Sequence, residues 1–430
     1  MSYDLAIIGA GWAGFNAAKL ARDSGLKVAL IEKGQLGGNC LNRGCIPTKA
    51  LIQSAKIYSQ LKKAKTFGID CPALSVDFNA VCARKDSLVT HLRQGMQSML
   101  SGIDFINSEA EIISPNYLKA GAKEITAKFI LIASGSRPAE IPGLEFDGKK
   151  IISSDDALLL KQIPESLLII GGGVIGCEFA SLFSALGSNV TMVEKMANLL
   201  PGMDIEASRK LENIFKKKGI KTATNTDAKT LNFNDYKIVL ICVGRAAEIK
   251  IPGLEKIGVK AGQKKIIVDA YLRTNIPNIF ACGDCVSHLM LAHFAAYQGS
   301  IAAGNIAHPE NLIKADISAV PSCIFTDPEI AAVGISQDEA QNSGLDIKVN
   351  KFDFLGSGMA RILDETEGFI KIISDKFSGV ILGAVIIGPR ATELISPLTV
   401  ACANKLTLRQ LKETILPHPT LSEAIHDAIA

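Results

Sequence analysis

Cys40 and Cys45, separated by four residues in the segment GGNCLNRGCIPTK (residues 37–49), are the pair whose type and spacing point most directly to chemistry. A disulfide between them would close so small a loop that the chain-entropy gain is only about 2 kcal/mol, a weak reason for a structural staple. A redox role is the better use of such a bond; two free cysteines in a buried loop are the plain alternative. Pro47 reads as a first-turn residue of a helix running through ALIQSAKIY, which sets Cys45 at the helix N-terminus. The positive end of the helix dipole favours a thiolate there. Lys49 follows one turn on, on the same face. Near the other end of the chain, HPTLSE carries His418 and, five residues on, Glu423. A dithiol must lose a proton before its sulfur attacks a disulfide, and histidine titrates in the range for that task. Glu423 could hold one ring nitrogen. Taken alone, a histidine before a proline reads equally as an ordinary surface residue.

The elements that must position these groups are announced by an internal repeat. Residues 5–33 read LAIIGAGWAGFNAAKLARDSGLKVALIEK, and residues 167–195 read LLIIGGGVIGCEFASLFSALGSNVTMVEK. Gly9, Gly11, Gly14, Glu32 and Lys33 match Gly171, Gly173, Gly176, Glu194 and Lys195 at one constant offset. Each copy is an apolar strand, a glycine-rich turn, a helix-period segment, a glycine stop and a second strand ending in an acid. Such glycines let backbone approach a pyrophosphate, the helix N-terminus stabilises its charge, and the acid accepts from a ribose hydroxyl. One such motif is weak evidence, but two whole constellations imply two dinucleotides. Glu194 would repel a 2′-phosphate and so favours NAD(H) over NADP(H), with Lys195 as the opposing charge.

A shorter echo, GSRPAEIPGLE (135–145) and GRAAEIKIPGLE (244–255), follows two apolar strands and marks crossings between domains. Beyond about residue 315, strand-like runs (FDFLG, GFIKII, GVILGAVIIG) precede helix-like segments from Thr392 and Thr407. The expected fold is α/β, with two Rossmann-type dinucleotide-binding domains and a C-terminal α+β domain. Residues 1–145 and 266–315 would form the first, 146–265 the second and 316–430 the third. The stretches 107–128 and 222–236 should be strand meanders or hairpins.

In order, these segments resemble the class I flavoprotein disulfide reductases, and within them the dihydrolipoamide dehydrogenase branch, over essentially the whole chain. GGNCLNRGCIPTKAL is close to that branch's redox-disulfide motif, and TNIPNIFACGDC (274–285) to the family's second FAD motif. The resemblance implies FAD and NAD as cofactors, with Asp284 on the flavin ribitol and Met290, Leu291, Ala292 and His293 lining the flavin ring. It pairs Glu178 with Lys49 beside that ring, and adds Gly38, Ser134, Gly135 and Gly244 to the cofactor-binding residues. It makes His418–Glu423 the catalytic base pair, reaching the Cys40–Cys45 disulfide of a second subunit in a homodimer. Cys40 would then face the substrate and Cys45 the flavin. The implied partner is the lipoyl domain of a 2-oxoacid dehydrogenase or glycine-cleavage complex. The competing readings are a reductase of another disulfide or of a quinone, and a flavin-binding scaffold without turnover.

Composition narrows the field. At 430 residues the chain suggests about three domains, with 48% hydrophobic and 21% charged residues. The net charge of +3 is spread without a basic stripe, which argues against nucleic acid and anionic membrane as partners. The most apolar stretch, 166–186, is broken by glycines and carries Glu178, so strand-turn-helix is expected and not a membrane span. The first strand starts so early that no leader is expected, and ten cysteines then suggest a reducing compartment, the cytoplasm. Cys282, Cys285, His288 and His293 superficially offer four metal ligands, but zinc pairs are usually a dozen or more residues apart, and no metal is expected. Against the family pattern, Ala246-Ala247, Phe294 and Leu416 stand where relatives often have Arg-Pro, Lys and His; none removes a catalytic group.

Overall fold

The computed structural model describes residues 1–430 and contains three main sheets. The first is built on the strand Ser2–Ile8, flanked in parallel by Val28–Glu32 and Lys123–Ile132. Ile103–Asn107 extends it on one side, and an antiparallel meander of Lys123–Ile132, Tyr117–Ala120 and Ala110–Ser114 on the other. The second sheet is wholly parallel, in the order 221–223, 189–193, 166–170, 238–241, 151–152. Its two central strands, SLLII and IVLI, are buried beyond their first residues and read as apolar runs, as strands covered on both faces require. The third is antiparallel, in the order 322–324, 329–334, 381–388, 369–375, 347–353, and the helix Ala391–Ala403 packs on it.

Helix α1 (Trp12–Asp23) follows the first strand, and α2 (Gly38–Arg43) and α3 (Cys45–Lys62) follow the second. The strand Ile279–Ala281 returns to pair with Lys123–Ile132, and the helix Ala292–Ala307 then packs across α1. That packing is close: a Cβ on Gly299 would lie 2.1 Å from the Ala13 carbonyl oxygen. Leu254, Val259 and Ile266 are buried in the core of the first sheet, with Ile249, Ile251 and Ile257 packed against it. The chain is therefore back on that sheet before residue 265, the boundary expected from sequence.

The stretch 107–128 forms the expected meander. The stretch 222–236 does not form a hairpin: after the short strand Lys221–Ala223 come two 3₁₀ turns, Ala228–Thr230 and Phe233–Asp235. Asp227 and Asn232 accept from the backbone N–H groups of Lys229 and Asn234, local bonds that compete with strand pairing. One large apolar cluster joins these layers, with Leu51 and Ala55 of α3, Phe179 and Phe183 of the helix Val174–Ala185, and Ile324 and Phe369 of the third sheet. No helix is long and apolar enough to cross a membrane.

Candidate active site

The two glycine-rich turns give nearly the same geometry. Gly9 and Gly171 have φ of +104° and +106°, and a Cβ on either would meet a neighbouring strand's carbonyl oxygen, Ala133 at 2.3 Å or Cys242 at 2.4 Å. A Cβ on Gly14 or Gly176 would lie 1.9 or 2.0 Å from the oxygen of Gly9 or Gly171, so only glycine lets helix and strand pack this closely. The helices that follow, α1 and Val174–Ala185, have Gly11 and Gly173 at their N-caps and no side-chain cap. Their first amides are left for an external acceptor, which is what a pyrophosphate needs. Glu32 accepts from the amides of Ala10 (2.8 Å) and Gly34 (2.6 Å); Glu194 accepts from those of Gly172 (2.6 Å) and Met196 (2.7 Å). Each acid is thus held at the turn of its own unit. Lys33 points to solvent and pairs with Glu109 at 3.4 Å.

Over the first turn lies the cysteine segment. Gly38 packs on Gly11, where an added Cβ would be 2.7 Å from the Gly11 Cα. Gly44 joins α2 to α3, and a Cβ there would sit 3.0 Å from the Asn39 carbonyl oxygen and 3.2 Å from the Cys40 Cα. This tight reversal brings the two sulfurs together as thiols in hydrogen-bond contact. The contact lowers the Cys45 pKa to about 7; burial opposes the shift and Lys49 reinforces it. Cys40, which donates that hydrogen bond, is pushed far above the ordinary thiol range, with burial adding to the effect. The negative charge of the reduced pair therefore belongs to Cys45, at the N-terminus of α3.

Lys49 is fixed by both oxygens of Glu178, at 2.9 and 2.8 Å, and Glu178 is only 3% exposed. Glu178 also accepts from the Phe325 backbone amide at 3.0 Å, and the Phe325 ring lies 4.7 Å from the Lys49 ammonium. One carboxylate thus ties the helix Val174–Ala185 to α3 and to the segment that follows the strand Ser322–Ile324. Phe325 was not legible in the sequence, because nothing in SCIFTDPE marks an aromatic that covers a distant cation.

Asp284 lies in the 3₁₀ turn Gly283–Cys285 and accepts from the Ser136 hydroxyl at 2.5 Å. That hydroxyl accepts from Arg245 Nε at 2.8 Å, and the Ser136 carbonyl accepts from both Arg245 and Asn39, next to Cys40. Ser134 donates to the Glu248 carbonyl at 2.6 Å, and Gly135 and Gly244 take positive φ at this crossing. Ser136 and Arg245 stand inside the two echoed segments, GSRPAE and GRAAE, so the echo was the signal for their meeting. Met290, Leu291 and Ala292 lead into the helix Ala292–Ala307, whereas His293 turns its Nε2 to the Pro321 carbonyl at 2.8 Å. Cys285 directs its thiol to the carbonyls of Cys282 (3.2 Å) and Ile132 (3.7 Å). No three His, Cys, Asp or Glu side chains converge as a metal-holding group.

His418 Nδ1 lies 2.7 Å from Glu423 Oε1, and the other Glu423 oxygen accepts from the Thr420 amide at 2.8 Å. The Thr420 amide, then His418, hold the Glu423 carboxyl below its ordinary value. The His418 side chain is 80% exposed, and within one chain no hydrogen bond joins it to either cysteine.

The family model described as pyridine nucleotide-disulphide oxidoreductase matches residues 3–299. The chain belongs to that family. The family's dimerisation domain matches residues 320–429, the segment that carries the antiparallel sheet, His418 and Glu423. A dihydrolipoyl dehydrogenase from Chlamydia muridarum (strain MoPn / Nigg) is 41% identical over 443 aligned residues, covering 98% of this chain and 95% of that one. A dihydrolipoyl dehydrogenase from Bacillus subtilis (strain 168) is 40% identical, with 99% and 97% covered. Among solved structures, the HOCl-induced flavoprotein disulfide reductase RclA from Escherichia coli superimposes with a TM-score of 0.89 at 28% identity, covering 99% of each chain.

Proposed function

We propose that this pyridine nucleotide-disulphide oxidoreductase acts as a dihydrolipoamide dehydrogenase, moving electrons from protein-bound dihydrolipoamide through the Cys40–Cys45 pair and FAD to NAD+. The observation that carries the reading is the coupled sulfur pair, with Cys45 lowered to about 7 and Lys49 held beside it by Glu178. The first cradle (Gly9, Gly11, Gly14, Glu32, Gly38) would hold the FAD pyrophosphate and ribose, and Asp284 its ribitol, with Ser134, Gly135 and the 290–293 segment alongside. The second (Gly171, Gly173, Gly176, Glu194, Gly244) would hold NAD. The uncapped helix amides and the crowded glycines fit those groups.

His418 takes a proton from one dihydrolipoyl sulfur through Nε2 while Glu423 steadies Nδ1 and the imidazolium that forms. That sulfur attacks Cys40, the Cys40–Cys45 bond breaks, and its electron pair passes to Cys45. The second lipoyl sulfur then attacks the first, which releases Cys40 and closes the oxidised lipoyl ring. FAD, when bound, supplies electron acceptance from the dithiol and hydride transfer to NAD+. Lys49 holds positive charge beside the Cys45 thiolate. The dimerisation-domain match supports a homodimer as the working unit, in which His418 would serve the other subunit's pair. The lipoyl group belongs to a 2-oxoacid dehydrogenase or glycine-cleavage complex in the cytoplasm. In domain language, residues 1–145 and the return through 315 bind FAD, the intervening residues bind NAD, and 316–430 dimerise.

The full-length likeness to RclA favours one second reading, reduction of a different disulfide at the same pair. Anaerobic reduction of the purified yellow protein by NADH or NADPH, then reoxidation by lipoamide or oxidised glutathione, separates the two. NADH and lipoamide should each be preferred. Preference for NADPH, or failure of lipoamide as acceptor, would remove the primary reading.

A further inference from the structure

Trp12 is the chain's only tryptophan and occupies the first position of α1, within GAGWAG. Its indole nitrogen is buried and has no hydrogen-bond partner. A buried N–H without an acceptor costs about 1–3 kcal/mol, so its retention at this turn calls for a use. The contact of Gly38 with Gly11 sets α2, which carries Cys40, directly against the residue before Trp12.

We propose that the Trp12 indole N–H donates to the Cys40 sulfur when that sulfur carries negative charge, making Trp12 a further catalytic residue of disulfide exchange. The inference rests on the exchange at Cys40 proposed above, but not on the identity of the disulfide substrate. When a second thiolate attacks the substrate sulfur of a Cys40 mixed disulfide, a new substrate disulfide forms and the bond to Cys40 Sγ breaks. The bonding electron pair stays on Cys40 Sγ, which leaves as a thiolate. In the reverse direction that thiolate is the nucleophile, and the sulfur displaced from the substrate disulfide takes the electron pair and then a proton from His418. In both directions the charged form of Cys40 is the costly state, since the sulfur is held against Cys45 and half-buried. The Cys45 contact and burial raise the Cys40 pKa, whereas Trp12, then Lys49, act in the opposite direction. Cys45 has the α3 N-terminus and Lys49 for its charge; Cys40 has the indole. Trp12 can therefore stabilise one sulfur without favouring the other.

A single tryptophan gives one indole ¹⁵N–¹H resonance, so the donor can be watched directly. In the reduced Cys45→Ser holoenzyme, where Cys40 is the sole thiol of the pair, that resonance should move downfield as rising pH ionises Cys40, and it should not move in Cys40→Ser. Trp12→Phe keeps the ring and removes the donor. It should retain flavin and the wild-type rate of flavin reduction by NADH, while the reduced protein reacts about 10-fold more slowly with lipoamide and with the small aromatic disulfide 5,5′-dithiobis(2-nitrobenzoic acid). Its exchange rate should also need higher pH to reach its plateau. Trp12→His, which restores an N–H, should recover part of the loss. An indole resonance unmoved as Cys40 ionises in Cys45→Ser, or Trp12→Phe with wild-type exchange and pH profile, overturns the proposal. Slow exchange with the aromatic disulfide in Trp12→Phe, in a wild-type protein that ignores lipoamide, would uphold it and sink only the substrate assignment.

Discussion

The two dinucleotide cradles differ less in their own geometry than in what is built over them. Gly11 and Gly173 cap their helices at φ −72°, ψ −173° and φ −73°, ψ −174°, and each unit ends with a glutamate bonded to its own turn. Above Gly11 the chain folds straight back, so that Gly38 and the cysteine segment lie on the turn. Above Gly173 there is open space: a Cβ there would meet nothing within 4 Å. A covered cradle suits a group that stays through the cycle and exchanges electrons with the sulfurs beside it. An open one suits a cofactor that must arrive and leave at every turnover. Under the proposed function the same repeat would provide a resident site and a visiting site, with the segment after the second strand making the difference.

The largest effects should come from the covered side. Cys45→Ser should lower lipoamide turnover by more than about 10³-fold while the protein keeps its flavin, as measured by steady-state kinetics and absorbance. His418→Gln should cost about 10²–10⁴-fold in kcat with lipoamide and leave NADH reduction of the flavin in place; Glu423→Gln should cost less. The comparison itself is sharpened by Gly14→Ala and Gly176→Ala, whose Cβ atoms would collide equally with backbone oxygen at 1.9 and 2.0 Å. Overpacking of about 1–3 kcal/mol should release flavin in the first and raise the KM for NAD about 10-fold in the second, with its flavin retained. Equal loss of flavin in both would break the distinction between resident and visitor. The smallest effect is electrostatic. Because the Cys45 thiol loses its proton near pH 7, alkylation of the reduced protein by iodoacetamide at Cys45 should rise through about pH 7. It should fall away below that pH, and Lys49→Met should move the midpoint upward, as peptide mass spectrometry can follow.

Much of this was legible where the constraint is local. The glycine spacing announced both turns, because only glycine tolerates carbonyl oxygens that close, and Pro47 announced the helix that starts at Cys45. Glu178 with Lys49 followed from family resemblance, and their ion pair spans 129 residues of sequence, beyond the reach of any periodicity. Phe325 and the buried indole nitrogen of Trp12 were not legible for the same reason: each acquires its surroundings from a segment far away in the chain. Residues 249–259 were expected with the second sheet, yet their apolar side chains are buried against the first. A loop's destination depends on which core has room for it, and an apolar run does not carry that information. The same is true of 222–236, where side-chain bonds from Asp227 and Asn232 won over strand pairing.

On the proposed function, Cys40 and Cys45 form a redox pair in electronic contact with the flavin over the covered cradle. Anaerobic dithionite titration of the holoenzyme, followed by flavin absorbance, tests it most directly. The wild-type protein should take up two electron pairs per flavin, one in the sulfurs and one in the ring, with Cys45→Ser taking up one. Equal uptake of a single pair by both proteins would contradict the account.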